Sequence, residues 1–325
     1  MKKIFLGIDV GSVSTNLVLL DQTGHLVDKI YLRTQGQPIA TIQKGLSQLQ
    51  AKWGDHMQIA GVGTTGSARH LVSVLIGADI VKNEITAHAV AASELVPGVQ
   101  TVLEIGGQDS KLIILRDGVV TDFAMNTVCA AGTGSFLDQQ AHRLGLPIEE
   151  FGKLALRAKA PVRIAGRCTV FAETDMIHKQ QMGHPVEEIV AGLCQALVRN
   201  FLSNLGKGKE LLPPVVFQGG VAANAGIRDA FEKALETEII VPEHYNVMGA
   251  IGMAILAREE WLKGRSTNFK GFGCATLPFR QSGFECQDCP NGCEIIQIKQ
   301  ESTIIARWGD RCGKWSSLKA VGTGA

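Results

Sequence analysis

Residues 3–21, KIFLGIDVGSVSTNLVLLD, and residues 102–118, VLEIGGQDSKLIILRDG, decide the fold when one is set beneath the other. Without gaps, Asp9 falls on Glu104, Gly11 on Gly106, Ser12 on Gly107, Thr15 on Ser110, and the run LVLL on LIIL. Each copy reads as an apolar strand, a tight turn of small residues and a second apolar strand. A β-hairpin with a glycine-rich tip is therefore repeated, one copy in each half of the chain.

Such a tip offers backbone N–H groups to an anion, and Ser or Thr hydroxyls add donors. Two tips facing each other would clamp a polyphosphate. Either copy alone reads more readily as a plain hairpin turn; the duplication, with an acid before each tip, reverses that preference in favour of the phosphate reading. A third glycine cluster, VFQGGVAANA at 216–225, leads from a β-rich stretch into the helical pattern IRDAFEKALE. Strand, Gly-Gly and helix start form a nucleotide cradle, because a helix N-terminus favours negative charge, although close helix–strand packing also selects glycine. The stretch VMGAIGMAILAREEWL, 247–262, reads as a helix whose small residues pack closely on a neighbour.

The 325 residues, 45% of them hydrophobic, suffice for two domains of ordinary size and a small appendage. Thirty-two Lys and Arg against 31 Asp and Glu leave a net charge of +1, which gives no electrostatic reason to expect nucleic acid or a membrane surface as partner. No apolar run reaches transmembrane length, and the N-terminal MKKIFLGIDVGS lacks the pattern of a signal peptide, so a cytoplasmic location is expected. In that reducing compartment eight cysteines point to metal ligation or redox chemistry rather than disulfides.

Cys129 precedes AAGTGSFLDQQAHRL and Cys168 precedes TVFAETDMIHKQQ, each the pattern of a helix start. A thiolate there is stabilised by free N–H donors and the helix dipole, which suits a ligand of an anionic cluster. The competing reading is a small buried hydrophobe, and it is preferred for Cys194 in the apolar run IVAGLCQALVRNFL. A cubane iron–sulfur cluster wants four thiolates; this core offers Cys129 and Cys168, and a twofold dimer supplies the rest.

From about residue 263 the pattern changes, and KGFGCATLPFRQSGFECQDCPNGCEI follows. Cys286-x2-Cys289-x3-Cys293 has metal-knuckle spacing, with Cys274 upstream and Cys312 downstream as alternative fourth ligands. Spacing leaves three readings open: a structural Zn²⁺ knob, a second iron–sulfur cluster serving as an electron port, or free thiols.

DVGSVST, EIGGQDSK and FQGGVAAN stand in the order of the phosphate and adenosine motifs of the actin-like ATPase superfamily. NTVCAAGTGSFLDQQA and RCTVFAETDMI resemble signatures of the activators of 2-hydroxyacyl-CoA dehydratases and of the ATPase subunits of benzoyl-CoA reductases. The resemblance covers about residues 3–262. It implies an α/β, two-lobed actin-like (ribonuclease H-like) fold with duplicated βββαβα-type domains. Subdomain I would span 1–90, completed by a helix at about 245–262. Subdomain II would span 91–244 and carry the cluster cysteines, with a Cys-rich extension at 263–325 that shorter activators lack.

The same resemblance implies a homodimer in which each subunit gives Cys129 and Cys168 to one shared [4Fe–4S] cluster. ATP binding and hydrolysis would drive a low-potential electron into a multi-cluster iron–sulfur acceptor, with ferredoxin or flavodoxin as donor. Asp9 would hold hydrated Mg²⁺, which takes few carboxylates and keeps its waters. Gln108 would orient the attacking water. Gly11, Ser12, Val13, Ser14, Thr15 and Asn16, with Gly106 and Gly107, would surround the β- and γ-phosphates. Gly132 and Gly134, beside Cys129, would approach phosphate and link the ATP site to the cluster. Gly219, Gly220 and Asn224 would lie near adenosine or ribose, and His244 is either a base contact or an ordinary histidine. The family usually has Asp where this chain has Glu104, which leaves that residue's share in Mg²⁺ binding open. Two rival readings are a small-molecule kinase, for which no general base stands out, and a nucleotide-dependent redox sensor or scaffold.

Overall fold

The structure, a computed structural model, describes residues 2–316. Two compact units divide the chain: one runs up to Lys82 and resumes at Met253, the other is Asn83–Gly252.

The first unit begins with β1 (Lys2–Val10), β2 (Ser14–Asp21) and β3 (Leu26–Arg33), an antiparallel meander. Helix α1 (Pro38–Trp53) follows, with Pro at its start where the missing N–H costs nothing. Then come β4 (Met57–Thr65), parallel to β1, helix α2 (Arg69–Ile76) and the short β5 (Ile80–Val81). The sheet order is β3-β2-β1-β4-β5. β1 and β2 are almost wholly buried, which is why their sequences are continuous apolar runs rather than alternating ones.

The second unit repeats this plan. Helix α3 (Glu84–Leu95) is capped by the Asn83 side chain, which accepts from the Thr86 N–H. β6 (Thr101–Ile105), β7 (Ser110–Arg116) and β8 (Val119–Asn126) form the second meander. Helices α4 (Gly134–Arg143), α5 (Ile148–Ala155), α6 (Thr169–Gln181) and α7 (Val186–Leu205) come next. β9 (Val215–Gln218), helix α8 (Ala225–Leu235) and β10 (Ile239–Ile240) close the unit. Its sheet, β10-β9-β6-β7-β8, has the order of the first read from the other edge. Cys194 lies in α7 and is 1% exposed in the core of this unit.

Helix α9 (Met248–Leu262) returns the chain to the first unit. Its backbone approaches β4 so closely that a Cβ on Gly63 would lie 2.5 Å from the Met253 carbonyl oxygen, and one on Gly61 2.9 Å from that of Ala257. Three antiparallel strands follow, β11 (Phe279–Glu285), β12 (Glu294–Gln300) and β13 (Thr303–Trp308), in the order β11-β12-β13. This extension is sewn to the first unit: Asp79 accepts from Thr267 and Asn268, and Gln43 donates to the Leu277 carbonyl. No helix among the described residues is long and apolar enough to cross a membrane.

Candidate functional site

The sequence repeat is a repeat of backbone geometry. In the first hairpin Val10 pairs with Thr15, and the Gly11 N–H donates to the Ser14 carbonyl at 2.9 Å. In the second, Ile105 pairs with Ser110, and the Gly106 N–H donates to the Asp109 carbonyl at 3.0 Å. Both tips are closed by the same bond at matched positions, leaving the residues between them with N–H groups to offer an anion.

In the first unit Asp9 sits at the end of β1 opposite Asn16, partly exposed, just before the tip formed by Gly11, Ser12, Val13 and Ser14. Thr15 and Asn16 are buried at the start of β2. Thr34 anchors the tip: its hydroxyl donates to the Gly11 carbonyl at 2.8 Å and meets the Thr15 hydroxyl at 2.9 Å. Thr15 thus braces the loop from beneath through Thr34, while Ser12 is its exposed member. An open hollow beside it is lined by Ser12, Val13, Arg33 and Gln35, so Arg33 adds a cation near the tip.

The repeat also extends to a glycine outside the three sequence motifs. Gly66, directly after β4, has φ +92°, and a Cβ there would lie 2.4 Å from the Val10 carbonyl oxygen. Its counterpart after β9 is Gly219, with φ +88° and a would-be Cβ 2.4 Å from the Ile105 carbonyl oxygen. Both positions combine left-handed backbone with close approach to the strand that leads into a hairpin tip, so both require glycine. The signal was present in the string GVGTTGSARH, which lacks the Gly-Gly of the second copy.

In the second unit Gly106 and Gly107 form the tip, and Gln108 is its exposed residue. Gly219 donates its N–H to the Tyr245 carbonyl, which brings the turn holding half-buried His244 against the Gly219–Gly220 loop. A short 3-10 turn, Gly220–Ala223, separates β9 from α8. Asn224 is the N-cap of α8, its Oδ1 accepting from the N–H groups of Gly226 and Ile227. That bond gives Asn224 a structural task regardless of any nucleotide contact.

Beneath the second tip lies a buried charge cluster. Lys111, 2% exposed, reaches Glu84 at 2.8 Å, Asp109 at 2.9 Å and Glu104 at 3.0 Å. Burial pushes the Glu104 carboxyl up to about 8, against the opposing pull of Lys111, while Asp109 adds to the rise. Lys111 keeps its charge because the three carboxylates outweigh the cost of burying an ammonium. Glu104 is the most buried of the three carboxyls, with Glu84 and Asp109 partly exposed, so it is the one whose neutral form burial favours. Next to it His88 meets the Gln218 amide at 2.9 Å; burial first, and then Lys111, hold its pKa down at about 3, so it is a neutral imidazole.

Cys129 lies against the segment that leads into Cys168. The Cys129 thiol is 3.8 Å from the carbonyl oxygen of Arg167, the residue preceding Cys168. Asn200, on α7, ties the two segments: its Nδ2 donates to the Gly166 carbonyl at 2.6 Å and lies 3.8 Å from the Cys129 sulfur. Asn126, ending β8, grips the other side, accepting from the Cys129 N–H at 2.9 Å and donating to its carbonyl at 2.8 Å. Cys168 caps α6 directly, as its sequence context implies. Cys129 differs: it precedes a 3-10 turn, Ala130–Gly132, and the α-helix begins only at Gly134. The small run AAG, with Gly132 wedged against Asn200 and Asn126, allows that tight extra turn. Both thiols are unpaired and partly exposed. Their flanks are unusually apolar for surface: Val128 is 95% exposed, and Val170 and Phe171 66% each.

Gly132 and Gly134 connect this thiol pair to the second tip. Gly134 donates its N–H to the Gly106 carbonyl at 2.9 Å, and Ser135 donates to that of Gly107 at 2.9 Å. A Cβ on Gly134 would lie 3.0 Å from the Gly106 oxygen.

Among the extension cysteines, Cys274 is 3% exposed in a 3-10 turn within the apolar core of the first unit, where burial raises its thiol. Cys286, Cys289, Cys293 and Cys312 lie at the end of the small sheet. Among the described residues no three His, Cys, Asp or Glu side chains are gathered as a ready metal cage.

A duplicated actin-like ATPase fold with a tight hairpin tip of small residues in each half is the class that these features define. Residues 6–257 match the BadF/BadG/BcrA/BcrD ATPase family, and the chain belongs to it. It is 34% identical over 262 residues to the (R)-2-hydroxyglutaryl-CoA dehydratase activating ATPase of Acidaminococcus fermentans, covering 79% of this chain and 98% of that protein. It is 34% identical over 257 residues to the 2-hydroxyisocaproyl-CoA dehydratase activator of Clostridioides difficile, covering 78% and 95%. A solved structure of the latter activator with bound ADPNP superposes with a TM-score of 0.74 at 32% identity, covering 80% of this chain and 96% of that one.

Proposed function

We propose that this ATPase is a homodimeric activator that couples ATP binding and hydrolysis to low-potential electron transfer into a partner iron–sulfur dehydratase or reductase. The observation that carries the reading is the short covalent and hydrogen-bonded path from the Gly106–Gly107 tip through Gly134 to Cys129. The donor set fits a [4Fe–4S] cluster shared between two copies: two free thiols on touching segments, one directly capping a helix, half-exposed, and rimmed by Val128, Val170 and Phe171. Cys129 and Cys168 would hold that cluster, which supplies one-electron chemistry when bound.

The remaining roles fall to the chain's own groups. Asp9 holds Mg²⁺ through water, and the Gly11–Asn16 tip offers N–H and hydroxyl donors to the β- and γ-phosphates. Gln108 orients the attacking water. Gly106 and Gly107 receive phosphate from the second unit, and their bonds to Gly134 and Ser135 make α4 sense whether phosphate is present. Gly219, Gly220 and the His244 turn support the adenosine, while Asn224 holds the start of α8. The relatives' names, activators of acyl-CoA dehydratases, support such a dehydratase as the partner, which in this reading accepts the electron, with a ferredoxin or flavodoxin proposed as donor.

Anaerobic mixing of reduced protein with a candidate dehydratase, with ATP and without, tests the reading. Acceptor reduction that requires ATP supports it. ATP turnover that delivers no electron, accompanied by phosphorylation of a small molecule, would overturn it in favour of a kinase.

A further inference from the structure

We infer that the C-terminal sheet carries a second metal site, a structural zinc knuckle formed by Cys286, Cys289, Cys293 and Cys312. This goes beyond the activator reading and does not depend on it. β11 and β12 pair antiparallel down to Glu285 and Glu294, so the loop 286–293 lies at one end of the sheet. β12 and β13 turn at the opposite end, and the chain therefore leaves β13 on the side of the cysteine loop. The topology places all four cysteines at that end of the sheet, although Cys312 is distant from the others in sequence.

Local contacts bring the segments together. Within the loop the Cys286 N–H donates to the Cys293 carbonyl at 2.8 Å, and the Gly292 N–H to that of Cys289 at 3.3 Å. After β13, Gly309 turns with φ +111°, its would-be Cβ 2.2 Å from the Glu294 carbonyl oxygen, so the chain crosses the start of β12, one residue beyond Cys293. Trp315 then packs edge-on to Phe284 at 5.0 Å and donates its indole N–H to the Cys286 sulfur at 3.3 Å. Lys314 pairs with Asp288 and is within electrostatic reach of both Cys286 and Cys312. The segment carrying Cys312 is thus folded back over the knuckle.

The chemistry favours one tetrahedral ion. C-x2-C spacing with two further thiolates is a structural zinc set, and an indole N–H on a ligating sulfur is the kind of outer-sphere support such sites use. Lys314 and Arg307, the latter over the Trp315 ring, offset the negative charge of a four-thiolate centre. The sheet also has reason to need a staple: among the described residues of its strands only Ile295 and Ile298 are fully buried. Cys274 is no ligand, because it is packed in the unit's apolar core. Cys286 is buried, Cys293 partly exposed and Cys289 and Cys312 exposed, so a shared ion would require the last two to turn inward.

The test is metal analysis of the full-length protein purified without oxygen, with zinc, iron and acid-labile sulfide measured together. The expected result is about one zinc per chain, lost in Cys289→Ser and Cys312→Ser and kept in Cys274→Ser and Cys129→Ser. Cobalt added to the zinc-stripped wild-type protein should give a thiolate-to-metal absorption band, a readout that needs no variant. Absence of zinc and of that band, zinc unchanged in Cys289→Ser and Cys312→Ser, or additional iron and sulfide at these cysteines in place of zinc would each overturn the inference.

Discussion

Gly134 donates its backbone N–H to the Gly106 carbonyl at 2.9 Å, and through this bond the start of helix α4 is fixed to the tip of the second hairpin. Cys129 lies one 3-10 turn upstream of that helix. In Gly134→Ala the added Cβ would meet the Gly106 oxygen and Val221, both at 3.0 Å, and would pry the helix start from the loop. The expected outcome is ATP hydrolysis that continues while ATP-dependent electron delivery falls about tenfold or more, a loss of about 1.4 kcal/mol of coupling. The ratio of electrons delivered to ATP hydrolysed reads it directly.

Asn200 is a buried clamp on the thiol pair, 3% exposed, with its amide shared among Gly166, Arg167 and Cys129. Asn200→Ala should cost about 1–3 kcal/mol, because the Gly166 carbonyl loses its partner. It should also speed iron loss from the anaerobic protein. Urea midpoints and timed iron release check the two effects separately.

The matched glycines Gly66 and Gly219 should be equally intolerant. Alanine at either meets left-handed backbone and a carbonyl oxygen at 2.4 Å, so a loss of about 1–3 kcal/mol or more, with weakened nucleotide binding, is expected. Gly98 is the control: its φ is +75° but nothing lies within 4 Å of its would-be Cβ, so Gly98→Ala should cost less and leave nucleotide affinity unchanged. Thermal melts with and without ADPNP compare the three.

Glu104 gives a pH signature. Its folded pKa, raised to about 8 by burial, exceeds the unfolded value near 4.5, so the folded state holds a proton that the unfolded chain releases. Stability from this group is present at low pH and declines as pH rises between those values, by at most about 1.4 kcal/mol per unit. Glu104→Gln cannot titrate, and denaturation from pH 5 to pH 8 should show a flatter profile in the variant than in the wild type.

The fold was legible because its repeat rests on backbone chemistry that few residues satisfy. A tight hairpin tip needs small residues, and GSVS and GGQD announce themselves. Gly66 did not, since its copy of the third motif kept only the one glycine that the left-handed turn demands. The thiol pair was visible from helix-start context, but its clamps were not. Asn126 and Asn200 reach Cys129 through the fold, and Asn200 left only the faint trace of a lone amide in the apolar face of α7. Likewise Lys111 was readable as part of GGQDSK, whereas its partner Glu84 lies on a preceding helix that no local pattern connects to it.

Anaerobic iron and sulfide analysis tests the central claim most directly, made on the wild-type protein and on Cys129→Ser and Cys168→Ser with ADPNP affinity measured alongside. The account expects about four irons and four sulfides per dimer in the wild type, lost in each variant while ADPNP still binds. Iron and sulfide contents unchanged in both variants would contradict it.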